Sequence, residues 1–251
     1  QYLKLFIEMG FNVKFVGDNF FKHEPYTSEL EKLGVEVLYG QWYASDFEEW
    51  LSRNGKYIDY VLLNRPHISI KYIDLVQKKT NAKVIYYGHD LHYIRELREY
   101  ELTKNPSLLK SSENWKRIEH ELCKKADLVY YPSVYEIEEI KKYMPQKQAK
   151  SIPAYMFDRS PSRPYIYAER MNIMFVGGFN HRPNTDAVLW FAKKIFPSIV
   201  EHIPNIKFYV IGSNPPNEIK ELQSEHIIIT GFVQDNELLN YYQKCRIAVV
   251  P

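Results

Sequence analysis

Cysteine is nearly missing: the 251 residues contain two, Cys123 and Cys245. They lie far apart and match no metal-ligand spacing. They read as two buried thiols in a reducing compartment rather than as a disulfide framework. No charge of one sign prevails either, since 33 basic and 31 acidic side chains leave a formal charge of +2. The basic residues are scattered rather than blocked, which argues against a nucleic-acid partner. Long apolar runs are missing too. The longest are strand-sized, far short of the roughly 20 residues that cross a bilayer. The opening residues follow a helical amphipathic pattern rather than that of a secretory leader. Low-complexity tracts and short repeats are absent from the sequence.

What is there is a globular composition, 45% hydrophobic and 25% charged, long enough for one large domain or two of ordinary size. Tyrosine is abundant, with 21 residues against 13 Phe and 4 Trp. Many tyrosines lie in or beside strand-like runs (Tyr86, Tyr87, Tyr130, Tyr131, Tyr209), where they suit a half-buried pleated surface.

Along the chain, short apolar runs alternate with helical patterns. Strands are expected at 13–16, 35–38, 60–63, 84–87 and 128–131. Helices are expected at 29–33 behind Ser28, at 46–51 behind Ser45, at 70–78, at 112–124, and up to Tyr143 behind Ser133 with Glu136. Pro153, Pro161 and Pro164 among polar residues mark 154–170 as a linker between a domain 1–153 and a domain 171–251. In the second half strands are expected at 173–176, 207–211, 227–229 and 246–250, with helices at 186–196 and from an Asp235 cap to Gln243. Strand–helix alternation of this kind implies parallel sheets with right-handed crossovers.

One stretch points to chemistry. Ile173-Met174-Phe175-Val176 runs into Gly177-Gly178, then a polar turn containing His181, Arg182 and Asn184, then a helix. Strand, glycine turn and helix start aim backbone N–H groups and a helix dipole at one point, which favours a phosphate. The alternative is a tight turn that needs glycine for its backbone alone.

The second half resembles the nucleotide-sugar domain of retaining family 4 glycosyltransferases, which have two Rossmann-like domains (the GT-B fold). The matching residues are Phe175-Val176-Gly177-Gly178, Pro183-Asn184-Thr185-Asp186-Ala187, Trp190-Phe191, Pro204-Asn205-Ile206-Lys207-Phe208, Val210-Ile211-Gly212-Ser213, Gly231-Phe232-Val233 and Val249-Val250-Pro251. The first half matches more loosely, through Gly88-His89-Asp90 and Leu91-His92-Tyr93-Ile94-Arg95-Glu96, and looks like the acceptor domain. The resemblance implies an α/β fold of two Rossmann-like parallel-sheet domains facing a cleft, both incomplete in this chain. The family's first strand and glycine-rich loop would precede Gln1, leaving a gap between the second and fourth strands of the first sheet. Its paired-glutamate motif would lie beyond Pro251. The fragment alone is then expected to be inactive.

The resemblance also implies roles. Gly177, Gly178, Gly231 and Phe232 would bind the donor, with the Gly231 loop meeting the base. Gly178 and Asn184 stand where many members carry Arg and Lys, so His181 or Arg182 would supply the cation to the diphosphate. His89 would contact the donor sugar, or would simply be satisfied locally. Arg65 and His67, at another strand end, could pair with an anionic acceptor or tie a loop down. His92 and Arg95 are acceptor contacts or a solvated helix face, and Asp90 could be an N-cap.

The expected activity is transfer of a hexose-type sugar from a nucleotide-diphosphate donor to a hydroxyl acceptor, with retention, as in polysaccharide biosynthesis. No metal or other cofactor is expected, the family being metal-independent. The acceptor would be a glycan, a lipid-linked or a small molecule. The expected place is the cytoplasm, with peripheral contact at the inner face of the membrane. A nucleotide-sugar epimerase of the same build and a non-catalytic glycan- or partner-binding module are the alternatives.

Overall fold

The computed structural model describes residues 2–155 and 170–251. The chain divides into two compact units, Gln1–Asp158 and Arg159–Pro251. Of the linker expected at 154–170, residues 156–169 lie outside the described residues.

Unit 1 opens with α1 (Tyr2–Glu8), β1 (Lys14–Val16), α2 (Tyr26–Lys32), β2 (Glu36–Leu38) and α3 (Gln41–Asn54). It continues with β3 (Tyr60–Asn64), α4 (Pro66–Lys79), β4 (Lys83–Tyr87), α5 (His92–Thr103), α6 (Pro106–Lys125), β5 (Leu128–Tyr131), α7 (Val134–Tyr143) and β6 (Ala149–Ser151). Every strand pair is parallel, as crossover helices require. The strands form two sheets, β1–β2 and β3–β4–β5–β6. Phe15 and Val16 on β1 and Tyr60 and Leu62 on β3 are exposed.

The main core of unit 1 lies between the four-stranded sheet and its helices, around Ile73, Tyr86, Leu122, Val129, Tyr131 and Ile140. A smaller cluster (Leu38, Trp50, Leu51) packs α3 near β2, with Phe47 and Trp50 rings stacked at 5.7 Å.

Unit 2 runs β7 (Asn172–Val176), α8 (Arg182–Trp190), a π-helical turn (Phe191–Ile195), α9 (Phe196–His202), β8 (Phe208–Ile211), α10 (Asn217–Lys220), β9 (Ile227–Gly231), α11 (Asp235–Lys244) and β10 (Cys245–Ala248). Its parallel sheet has the order β10-β7-β8-β9. Period-two alternation sorts the side chains. Ile173, Phe175, Phe208 and Val210 enter one core with Phe191 and Phe196. Met174, Tyr209 and Ile211 enter the other with Cys245 and Tyr241. Pro197 has no N–H to give to the preceding turn, and the helix widens there, the N–H of Phe196 reaching back to the carbonyl of Phe191.

Several starts differ from expectation. α2 begins before Ser28, which is not its cap; the Ser28 N–H donates to the Glu24 carboxylate at 3.4 Å. α3 starts at Gln41 behind Gly40, with no box from Ser45, and kinks at Asp46 (φ −123°, ψ 26°). α4 starts at Pro66, earlier than expected, because proline suits a first helical position. The helix expected at 112–124 is there as part of α6, which starts earlier, at Pro106, and α5 precedes it. α8 starts at Arg182, not Asp186, with Pro183 in its first turn. Asp235 opens α11 without capping it. Ser133 and Glu136 do form a capping box, the Glu136 carboxylate accepting from the Ser133 N–H at 3.0 Å.

Both cysteines are buried and free. Burial pushes the Cys123 thiol up to about 12 and the Cys245 thiol up to about 11, so both stay unreactive thiols at neutral pH. Among the described residues no helix is long and apolar enough to cross a membrane.

Phe208 is fully buried against Phe191 and Phe196 at 4.9 and 5.5 Å. Phe208→Ala is expected to destabilise unit 2 by about 3–5 kcal/mol through the cavity it leaves. Urea unfolding followed by circular dichroism checks this.

Candidate functional site

The sequence-predicted residues gather at the carboxyl ends of the two four-stranded sheets, the edge where open α/β sheets bind ligands. In unit 2 the turn after β7 is built by close approach to β8. The Gly177 N–H donates to the Ile211 carbonyl at 3.0 Å, and the Phe179 N–H to that of Ser213 at 3.0 Å. The strands end so close together that a Cβ on Gly212 would lie 1.9 Å from the Gly177 carbonyl oxygen. A Cβ on Gly177 would lie 2.7 Å from Asn184 Nδ2, which itself donates to the Gly178 carbonyl at 2.8 Å. Asn184 therefore closes the turn.

This changes the inventory of donors. The Gly177 N–H is spent within the sheet. The N–H groups of Gly178, Asn180 and Arg182 have no acceptor among the described residues. Gly178 is exposed, as are His181 and Arg182, and Arg182 pairs with no carboxylate among the described residues. A run of unpaired N–H groups beside a helix start and an arginine suits an anion. At the end of β9, Gly231 takes φ +70° and accepts the Gly212 N–H at 2.9 Å, and Phe232 beside it is 71% exposed.

In unit 1, β4 ends at Gly88, where a Cβ would meet the Tyr131 ring at 2.3 Å. Only glycine lets the chain pass over that buried tyrosine. His89 follows, half-buried, its ring perpendicular to that of Tyr87 at 4.8 Å. Burial and the nearby Arg65 charge hold the His89 pKa below the ordinary value, so the ring is neutral at pH 7. Arg65 is exposed at the start of α4 with φ 64° and ψ 134°, a region that costs a side-chain-bearing residue. Its N–H donates to the Tyr87 carbonyl at 3.2 Å, which places Arg65 against the strand that carries His89. His67 is exposed in the first turn of α4.

His92 and Arg95 are placed differently from each other. His92 is 8% exposed, so it is not part of a solvated face. Its ring lies 4.9 Å from that of Trp115. Arg95 is exposed and forms an ion pair with Asp90. Asp90 does not cap α5. Leu91 holds that position, and the N–H groups of His92 and Tyr93 donate to Glu119 of α6 at 2.8 and 3.3 Å. Glu119 is fully buried. Sequence reasoning missed it because nothing in the strand-end motifs points to a carboxylate 27 residues on. The one available signal was an acidic residue in register with Leu122 on the apolar face of a helix. Among the described residues no group of three or more His, Cys, Asp or Glu could hold a metal ion.

With this geometry in place, the family described as Glycosyl transferases group 1 matches residues 170–251, which contain the whole glycine turn. Residues 170–251 are thus similar to that family. No curated protein matches the chain. Among solved structures, TarM is similar at 13% identity with TM-score 0.55, over 80% of this chain and 38% of its own. A trehalose-6-phosphate synthase is similar at 9% identity with TM-score 0.55, over 90% of this chain and 60% of that one. An α,α-trehalose-phosphate synthase (UDP-forming) from Burkholderia xenovorans, in complex with glucose-6-phosphate, is similar at 11% identity with TM-score 0.54, over 90% and 61%. These likenesses show the fold, an α/β build of Rossmann-like parallel sheets. The chain spans 38–61% of the length of these structures.

Because Tyr131 is fully buried and cannot retreat, Gly88→Ala is expected to cost about 1–3 kcal/mol of unit 1 stability. Thermal unfolding checks this, and Tyr131→Leu in the same chain is expected to recover part of the loss.

Proposed function

We propose that the chain carries the donor and acceptor domains of a retaining glycosyltransferase that moves a sugar from a nucleotide diphosphate to a hydroxyl acceptor. The observation that supports this most is the β7–α8 turn. It presents an exposed glycine, a helix start, and, among the described residues, three N–H groups without acceptors and an arginine paired with no carboxylate, inside the stretch that matches the glycosyl transferase family. The similar structures agree in kind: one is a synthase studied for glycosyl transfer with retention, another a UDP-forming synthase bound to a sugar phosphate.

The difficult step is departure of the nucleoside diphosphate, whose negative charge grows as the glycosidic bond breaks. Donors fixed in advance stabilise that charge without reorganising. In this reading Gly178, Asn180 and Arg182 offer backbone N–H groups, and the Arg182 guanidinium, or His181, supplies the positive charge. Asn184 holds the closed turn in place by its bond to the Gly178 carbonyl. Phe232, exposed beside Gly231, offers an apolar face to the base. These groups need no metal partner. His89 takes the role the resemblance gives it, a contact to the donor sugar, and its neutral ring donates or accepts a hydrogen bond without opposing positive charge at the anomeric carbon. Arg65, with His67 nearby, serves an anionic acceptor.

Isothermal titration of the chain with a panel of nucleotide sugars and free nucleoside diphosphates is the test. Saturable binding is expected, weakened about 10- to 100-fold by Arg182→Ala, the range for loss of a charged hydrogen bond. Binding should also weaken as salt rises. No binding to any of the panel, or binding that Arg182→Ala leaves unchanged, counts against the site. Recovery of an isomerised sugar nucleotide, with no transfer to an acceptor, would favour the epimerase reading instead.

A further inference from the structure

The first turn of α5 directly follows the His89–Asp90 turn, and it is held by a neighbouring helix rather than by its own sequence. A helix leaves its first N–H groups without partners. α5 has no capping side chain at Leu91. The Glu119 carboxylate of α6 accepts two of those N–H groups, from His92 and Tyr93. Ser112, two turns earlier on α6, donates its hydroxyl to the Tyr93 carbonyl at 2.7 Å, and Trp115 packs on the His92 ring. Ser112, Trp115 and Glu119 thus lie on one face of α6 and grip one turn of α5.

A fully buried carboxylate is costly unless its charge is answered. Two N–H bonds answer part of it. The remaining partner is His92, whose Nδ1 lies 3.4 Å from Glu119 Oε1. The same Nδ1 lies 3.2 Å from the Asp90 carbonyl oxygen and 3.4 Å from Asp90 Oδ1. Three oxygens around one ring nitrogen suit a nitrogen that carries a proton.

We propose that Glu119 is a positioning residue for the His89 site. Its buried carboxylate fixes the first turn of α5 and is the counter-charge of His92, and His92 ties the Asp90 backbone and side chain, and with them the His89 turn, to that fixed point. The direction of the His92 pKa agrees. Burial pushes it down, but the bond to Glu119 and the charge of Asp90 outweigh burial, and the net shift is upward. The charged groups that bear on His92 are Glu119 from α6, Asp90 from the preceding turn and Arg95 from its own helix, and the titratable His89 lies in that same turn. The relevance of this device to sugar transfer rests on the role proposed for His89, whereas the device itself does not.

The test is a pH titration of the full chain by NMR, reading the ring Cε1–H signals of His89 and His92 and the amides of Gly88–Tyr93, in the native sequence and in Glu119→Gln. Glutamine keeps an acceptor for the helix N–H groups but removes the charge. The expected result is a His92 midpoint at least about one unit lower in Glu119→Gln. In the native chain, the His89 and Asp90 amides should move with the His92 midpoint. A His92 midpoint that stays put in a folded Glu119→Gln chain, or His89 and Asp90 amides indifferent to it, overturns the proposal and leaves Glu119 a plain cap.

If Glu119→Gln does not fold, His92→Gln decides. A raised folded pKa makes the His92 contribution to stability complete below its unfolded value of about 6.5 and lost as pH rises through the folded value. Unfolding temperature in the native chain should fall across that window, and the fall should be smaller in His92→Gln. An equal fall in both overturns the proposal. None of these readouts uses a nucleotide sugar, so failure of the donor site and failure of this device are distinguishable.

Discussion

Parallel strands that end side by side leave no space for a side chain where the backbone turns away, and the candidate sites in both units are built on that constraint. In unit 2 the ends of β7 and β8 approach until Gly212 touches the Gly177 carbonyl, and the sheet absorbs the Gly177 N–H. In unit 1 the end of β4 passes over the buried ring of Tyr131 at Gly88. In each case the glycine is there for the neighbour across the sheet. What it releases to the ligand edge is the next residue, Gly178 in one unit and His89 in the other. The candidate contact is therefore displaced by one position from the residue that packing fixes.

The two edges answer different electrostatic needs. Around β7–α8 the groups without partners among the described residues are backbone donors and an arginine. Around β4–α5 the helix start is already occupied, because Glu119 fills it from beneath. That end of α5 is thus closed to an anion, and the exposed Arg65 lies near a neutral, half-buried His89. A helix start facing solvent and one plugged by a buried carboxylate look alike in sequence, yet they do opposite things.

Much of the architecture was legible in the chain. Apolar runs of strand length, alternating with helical patterns, required parallel sheets, and the positions of β5 and the Ser133–Glu136 box follow from local pattern alone. Helix starts were harder. Ser28, Ser45 and Asp235 have the side chains of caps but lie inside or at the first residue of their helices. Proline at Pro66 and Pro183, which fixes φ at the first turn, set two of the starts instead.

By itself the sequence determined which residues stand at strand ends, because the period of the apolar pattern places each turn, and it supplied the glycine turn whose likeness to a glycosyltransferase is carried by local residues. Only the tertiary structure decided which of those groups are available. Hydrogen bonds across the sheet spent the Gly177 N–H, and packing against α6 buried His92 and brought in Glu119 from 27 residues away. The physical reason is that donor capacity, burial and charge pairing are settled by whichever neighbour arrives in space, and a linear pattern of side chains does not specify that neighbour.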